Sequence, residues 1–367
     1  MSGELLLQIP VIGVEVSRFV ALLLAAFAGG AFGAALGALP AFCFTGFMVI
    51  AGEAVNILTA ELGSVGDIPA GDIAVGITGS VAFGPVFGPH VAFAGGAAAA
   101  AYAAKNDGMP DPADGDYHPA KDIAYALGTR PDILAVGGAF GIFGMLVARI
   151  SGGLALPWDP IAMGVVLSAV VHRLAFGYPL IGKVRGSGVF DMTPFEGGKM
   201  RMEQVEGEEV ATDGGYAAQR PAVEPWLPHQ YKWAGVLMIG SVTGILAGWT
   251  AIITNSAFLA FGISAALLTF LNLGVEKIPV THHMTLPAST AALAVMPLGM
   301  GEPVTLVVAA AFGVIGALAG EVVQRTFYAH SDTHFDPPAA AIVVATFVIA
   351  ILAIVGVFPT SVWIPLP

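Results

Sequence analysis

Apolar residues in this chain fall into long runs separated by short polar stretches. Eight runs, near 19–39, 42–60, 133–150, 160–181, 233–253, 256–275, 303–323 and 338–358, approach the roughly 20 residues a helix needs to cross a bilayer. Lipid offers no partner to a bare peptide group, so segments of this kind are expected to be helices that satisfy their own backbone. Two further stretches, 73–104 and 278–298, are apolar but interrupted. In the first, GPVFGP separates two half-length pieces; in the second, Pro279 and Pro287 flank His282 and His283. Proline removes a helical donor and glycine weakens the helix, so both stretches predict broken helices or re-entrant hairpins.

The pattern also occurs twice. LAVGGAFGIFGMLVARI at 134–150 returns as LVVAAAFGVIGALAGEV at 306–322, with seven identities in seventeen positions. Asp159-Pro160 matches Asp336-Pro337, the twelve residues from His90 match those from His283, and Gly29, Gly33 and Gly37 match Gly240, Gly244 and Gly248. The expected fold is therefore an all-α polytopic membrane protein made of two homologous repeats of about five transmembrane helices. Each repeat carries a broken or re-entrant third element. The boundaries are a 1–18 interfacial segment, repeat one at 19–182, a polar linker at 183–232 and repeat two at 233–367. If the third element crosses, five spans per copy turn the second copy over; if it dips and returns, the copies lie parallel. Loop 105–132 carries three bases and its counterpart 299–303 none, and the basic linker corresponds to an uncharged tail after 359. Opposite bias at equivalent loops favours the inverted arrangement, with the linker cytoplasmic and both termini outside.

Composition supports the membrane reading: 56% of residues are apolar and only 11% charged. Arg18 is the first basic residue, so the first span is expected to be retained and not removed as a signal peptide. The formal net charge of −12 opposes binding to nucleic acid. Acidic, lysine-poor loops suit hydration at high salt and point to a halophilic prokaryote, an archaeon, with the chain in its cell membrane. The linker holds eight acids and six bases, and the Asp-, Gly- and Pro-rich stretch 105–122 predicts a surface excursion. Cys43 is the single cysteine, which leaves no disulfide framework.

Candidate chemistry lies where polarity enters the spans. Matched interruptions in two halves mark a transporter's central site, where half-helix ends aim partial charges at a solute. The amides around Pro89, His90 and Val91, and around Thr281, His282, His283 and Thr285, are the expected coordinating groups. Either aligned histidine, His90 or His283, is also consistent with a satisfied structural role. Glu53 sits midway along the second span with Asn56 on the same helical face, and its repeat counterpart is roughly Ser264. An ionisable side chain at bilayer depth is expected to load a proton or cation, or to bond a neighbouring helix. Arg173 either pairs with Glu53 or snorkels to the interface, and Arg149 and Glu321 are expected at the interface. The glycine ladders at 29–37, 137–144 and 313–320 predict close helix packing, within the chain or in a homo-oligomer.

The string LPAST at 286–290 partly resembles the LPxxTxPF signature of urea transporters, with Ala292 and Leu293 in place of its Pro-Phe. No HExxH, Walker-type or dinucleotide-binding string occurs, so neither an enzyme nor a cofactor is expected and metal binding lacks ligands. The expected function is a secondary transporter or channel for a small solute or ion, with a site between the broken elements. The alternative is a membrane subunit or scaffold that docks a partner through the linker. An intramembrane enzyme would need Glu53 paired with a histidine.

Overall fold

The computed structural model describes residues 8–65, 76–201 and 220–367. Residues 1–7 of the interfacial segment, 73–75 of the first broken element and 202–219 of the linker lie outside the described residues. Ten principal helices follow one another: α1 (Val16–Leu36), α2 (Ala38–Val65), α3 (Ala92–Ala103), α4 (Pro131–Gly153), α5 (Pro160–Ala175), α6 (Trp233–Thr254), α7 (Leu259–Asn272), α8 (His282–Val295), α9 (Glu302–Val323) and α10 (Pro337–Ile354). No strand occurs among the described residues. Among the described residues, six helices are long and apolar enough to cross a membrane: α1, α2, α4, α6, α10, and α9 with its π-helical continuation to Tyr328.

Two expected spans are shorter. The runs at 160–181 and 256–275 form helices of 16 and 14 residues. At 1.5 Å per residue these reach about 24 and about 21 Å, below the roughly 30 Å hydrocarbon layer. Both runs overstate the helix because apolar loop residues extend them. Leu180 and Ile181 follow α5, and Ala257 and Phe258 precede α7.

Close glycine contacts set the packing. Gly30 of α1 lies against Gly137 and Gly141 of α4, and Gly240 and Gly244 of α6 lie against Gly313 and Ala309 of α9. A β-carbon at these sites would overlap backbone atoms, so the ladders are occupied within the chain. α2 runs antiparallel to α7, with Gly46 against Ala265 and Ala266 and Gly262 against Val49. α5 crosses α10 where the Asp159 N–H donates to Thr346 Oγ1 at 3.0 Å.

The first interrupted stretch is broken as expected: a π-helical turn (Ile77–Ala82), irregular backbone to Val91, then α3. The second differs. Irregular, non-helical residues lead into α8, which begins at His282 and runs through Pro287. Only the entry is unwound, because packing on α6 and α9 holds the remaining turns together around the missing donor.

The polar loop is a surface excursion over most of 105–117, but its end turns inward. Its residues His118, Pro119, Ala120 and Lys121 are buried, with Pro119–Lys121 forming a 3-10 turn. Arg173 neither reaches Glu53 nor snorkels. It is fully buried, and its guanidinium donates to Thr333 Oγ1 (2.8 Å), Ser331 Oγ (2.7 Å) and the carbonyls of Thr333 and Leu180. Four neutral acceptors replace both water and a carboxylate. Glu321, at the end of α9, is also buried in the protein and accepts from Arg325 at 2.5 Å and Gln324 at 3.0 Å.

Candidate functional site between the helix breaks

A cavity of about 210 Å³ lies between the two interrupted stretches. Four helices begin on its wall. Pro89 and Phe93 mark the entry to α3, Asp159 and Ile161 that of α5, Val280 and His282 that of α8, and Asp336 and Ala339 that of α10. Helix N-termini present unpaired N–H groups and partial positive charge. Two are answered by their own Asp-Pro caps: Asp159 accepts from the Ile161 and Ala162 amides, and Asp336 accepts from the Ala339 amide at 2.8 Å and His334 Nε2 at 3.2 Å. Phe42, Phe93, Val165, Phe261 and Leu286 make the remaining surface largely apolar.

Among the cavities that adjoin this one, two are relevant to a path through the protein. Toward the loop 105–130, a polar cavity of about 390 Å³ shares Lys121, Asp122 and Tyr328 with it. On the other side, a cavity of about 510 Å³ lined by Glu53, Asn56, Thr78 and Ser256 shares Phe83 with it. Phe83 packs on Phe258 (centroids 5.5 Å apart) and Phe261 (5.8 Å), so an aromatic cluster stands between the central space and Glu53.

Glu53 is buried and held from three directions. Thr78 of the π-helical turn donates to it at 2.7 Å, Ser256 before α7 at 2.5 Å, and Asn56 of its own helix at 3.0 Å. Ser256 Oγ also accepts the Leu259 amide at 3.0 Å, capping α7. One carboxylate therefore ties α2 to the first helix break and to the second half of the chain.

The other expected residues separate. Pro89 and His282 line the central cavity. His90 lines a different pocket with Arg18 and Arg149. His283 stacks edge-on against Trp226 at 6.1 Å and lies against Gly320. Val91 packs in an apolar cluster with Leu22, Ala26 and Met145. Thr281 bonds Ser264 at 2.6 Å, and Thr285 donates to the His282 carbonyl at 3.2 Å. Nδ1 of His90, His282 and His283 is buried without a hydrogen-bond partner. Among the described residues no cluster of three metal-ligating side chains occurs.

Sequence reasoning missed the ion network at the loop end. Lys121 meets Glu224 at 2.5 Å, Arg220 meets Glu224 at 2.8 Å and Asp332 at 3.1 Å, and Arg201 meets Asp332 at 2.7 Å. Lys121 Nζ also lies 4.4 Å from the Tyr328 ring centroid, and both side chains wall the central cavity. Burial pulls Lys121 down to about 7 although Glu224 opposes the shift. Burial alone would raise Glu224, but Lys121, Arg201 and Arg220 together hold it below the ordinary carboxylate range. Apart from Arg220 and Glu224, four residues apart, the members of each pair lie more than 100 positions from one another in the chain, and no local pattern joins them. The available signal was scarcity: a lysine among only six, with an acidic linker opposite, invites pairing. The described linker residues Arg220, Glu224 and Tyr231 are thus buried in the protein and are not presented to a partner.

No curated protein and no solved structure matches the chain. A family model matches residues 11–367, and by that match the chain belongs to a family of unknown function, DUF7973.

Proposed function

We propose that this protein is a transporter or channel for a small solute or ion, and that it catalyses no covalent step. The observation that carries this reading is the series of three cavities, each sharing wall residues with the next: Lys121, Asp122 and Tyr328 at one junction and Phe83 at the other. Interrupted helices in an apolar layer need protein or a water-filled space to receive their backbone groups, and helix ends converging on a cavity supply it. Glu53 is the coupling charge in this scheme, and Pro89, His282, Asp159 and Asp336 surround the central solute position.

An inverted pair of five-element repeats supports the same reading. α1 packs on α4 as α6 packs on α9, with Gly141 against Ala26 and Gly30 as Gly313 is against Gly240 and Gly244, a register three residues from the glycine match read in the sequence. The His90 carbonyl abuts Gly144 as the His283 carbonyl abuts Gly316, and α5 begins at Asp159-Pro160 as α10 begins at Asp336-Pro337. α1 ends beside Ala124 and Tyr125 of the loop 105–130, whereas α6 begins at the linker. A two-fold axis in the membrane plane accounts for all four relations and would pass through the central cavity.

Purified protein in liposomes tests the function. Proton, Na⁺, chloride and glycerol fluxes are measured for the wild type and for Glu53→Gln and His282→Ala. The reading requires a flux above empty liposomes that one or both substitutions reduce. If every flux equals that of empty liposomes, or the flux is identical in both variants, the site is refuted.

A further inference from the structure

A pocket of about 490 Å³ lies at the end of the bundle where α1 begins and α4 ends. Its polar lining is Arg18, Ser80, His90 and Arg149, and Leu22, Met145 and Ile161 supply apolar walls. No carboxylate lines it. Arg18 and Arg149 are exposed, and among the described residues neither has an acidic partner. His90 is only 4% exposed, yet its Nδ1 has no partner.

Two arginines and a serine thus line one space with no carboxylate, and His90 completes its polar wall. A guanidinium is always protonated and presents five N–H donors in a planar fork that matches phosphate and carboxylate oxygens. The two arginines come from the start of one apolar span and the end of another, the level at which long cationic side chains meet lipid headgroups. The apolar walls next to the arginines suit the glycerol and first methylenes of a lipid. We propose that this pocket binds a phosphate oxyanion, presented by the headgroup of an anionic phospholipid. The pocket shares Phe83 and Ile161 with the central cavity, but the inference stands whether or not that cavity conducts.

Full-length protein in non-ionic detergent micelles is titrated with phosphatidylglycerol, and bound lipid is read by native mass spectrometry. Diacylglycerol, which lacks the phosphate, and inorganic phosphate form separate arms. Saturable binding of phosphatidylglycerol over diacylglycerol is expected. Combined Arg18→Gln and Arg149→Gln substitution should weaken it about tenfold or more, the effect of losing charge-assisted hydrogen bonds. Lysines at both positions should retain more binding than glutamines. Arg130→Gln, an exposed arginine paired with Asp132 elsewhere, should leave it unchanged. Thermal unfolding of each variant confirms that it is folded. If inorganic phosphate competes with the same dependence on the arginines, the oxyanion site stands with free phosphate as a source; without competition, the lipid is the source. Equal binding of phosphatidylglycerol and diacylglycerol, or wild-type binding by the folded double glutamine variant, overturns the proposal.

Discussion

The carbonyl oxygen of His90 occupies the position that a β-carbon on Gly144 would take. The carbonyl is free to do so because Ala94, four residues on, donates its N–H to Pro89 at 2.9 Å. In the second half the His283 carbonyl lies against Gly316, and the residue four along is Pro287, which has no N–H to give. Two different local devices release the equivalent carbonyl against an equivalent glycine.

Gly144→Val and Gly316→Val should therefore lower thermal stability, each by about 1–3 kcal/mol or more, as expected when packed backbones are forced apart. Gly152→Ala meets open space and should be neutral or gain about 0.5–1 kcal/mol from helix propensity. Unfolding midpoints in detergent compare the three. Equal midpoints for wild type and the two valine variants would contradict the close contact.

The ion network predicts an asymmetry. Glu224→Gln leaves Lys121, Arg201 and Arg220 facing each other without their shared carboxylate, at a cost of about 3–5 kcal/mol for a broken buried pair. Lys121→Met leaves Glu224 with both arginines and removes a cation that burial already disfavours. It should cost clearly less. Chemical denaturation of the two variants checks the order.

Acid sensitivity should begin above the carboxylate range. Burial lowers His118 to about 3 from its ordinary 6.5, with Arg220 next in effect. The unfolded chain then binds more protons between those values, so stability rises with pH through that window and is fully present above 6.5. Glu224 and Asp332, both lowered, add their losses only below their ordinary 4.5 and 3.8. His118→Asn, which keeps an acceptor for the Ala120 amide, should flatten the slope between pH 6.5 and 5. An unchanged slope would assign it elsewhere.

Phe83 separates the central cavity from the space around Glu53. In the transport reading, Phe83→Ala should raise passive flux severalfold, and Phe83→Trp should lower it. Stopped-flow measurements on proteoliposomes distinguish the two directions, and equal flux in all three proteins would remove Phe83 from the path.

The apolar runs and the broken first stretch were readable because proline, glycine and hydropathy act locally. Glu53 with Asn56 was readable for the same reason, since helical spacing places both on one face. Arg173 and the buried end of the 105–122 loop were misjudged because their partners are distant in the chain, and Glu321 because its pairing with Arg325, one helical turn on, lets the carboxylate stay buried. Arg173 is satisfied by Ser331 and Thr333, and Lys121 by Glu224 and the Tyr328 carbonyl. An Asp-, Gly- and Pro-rich loop looks solvated throughout until Lys121 at its end is seen to close a cavity. The shortness of α5 and α7 was hidden because apolar loop residues carry the same hydropathy as apolar helix.

Accessibility of the central cavity to water is the most direct test. Single cysteines at Ala162 and Ala339, which line the cavity, and at Ala345, which is buried away from it, are introduced after Cys43→Ser. A small, charged thiol reagent applied to reconstituted protein should modify positions 162 and 339 and leave 345 untouched. Protection of all three to the same degree would mean a dry interior, and the account of a hydrated path between the helix breaks would be wrong.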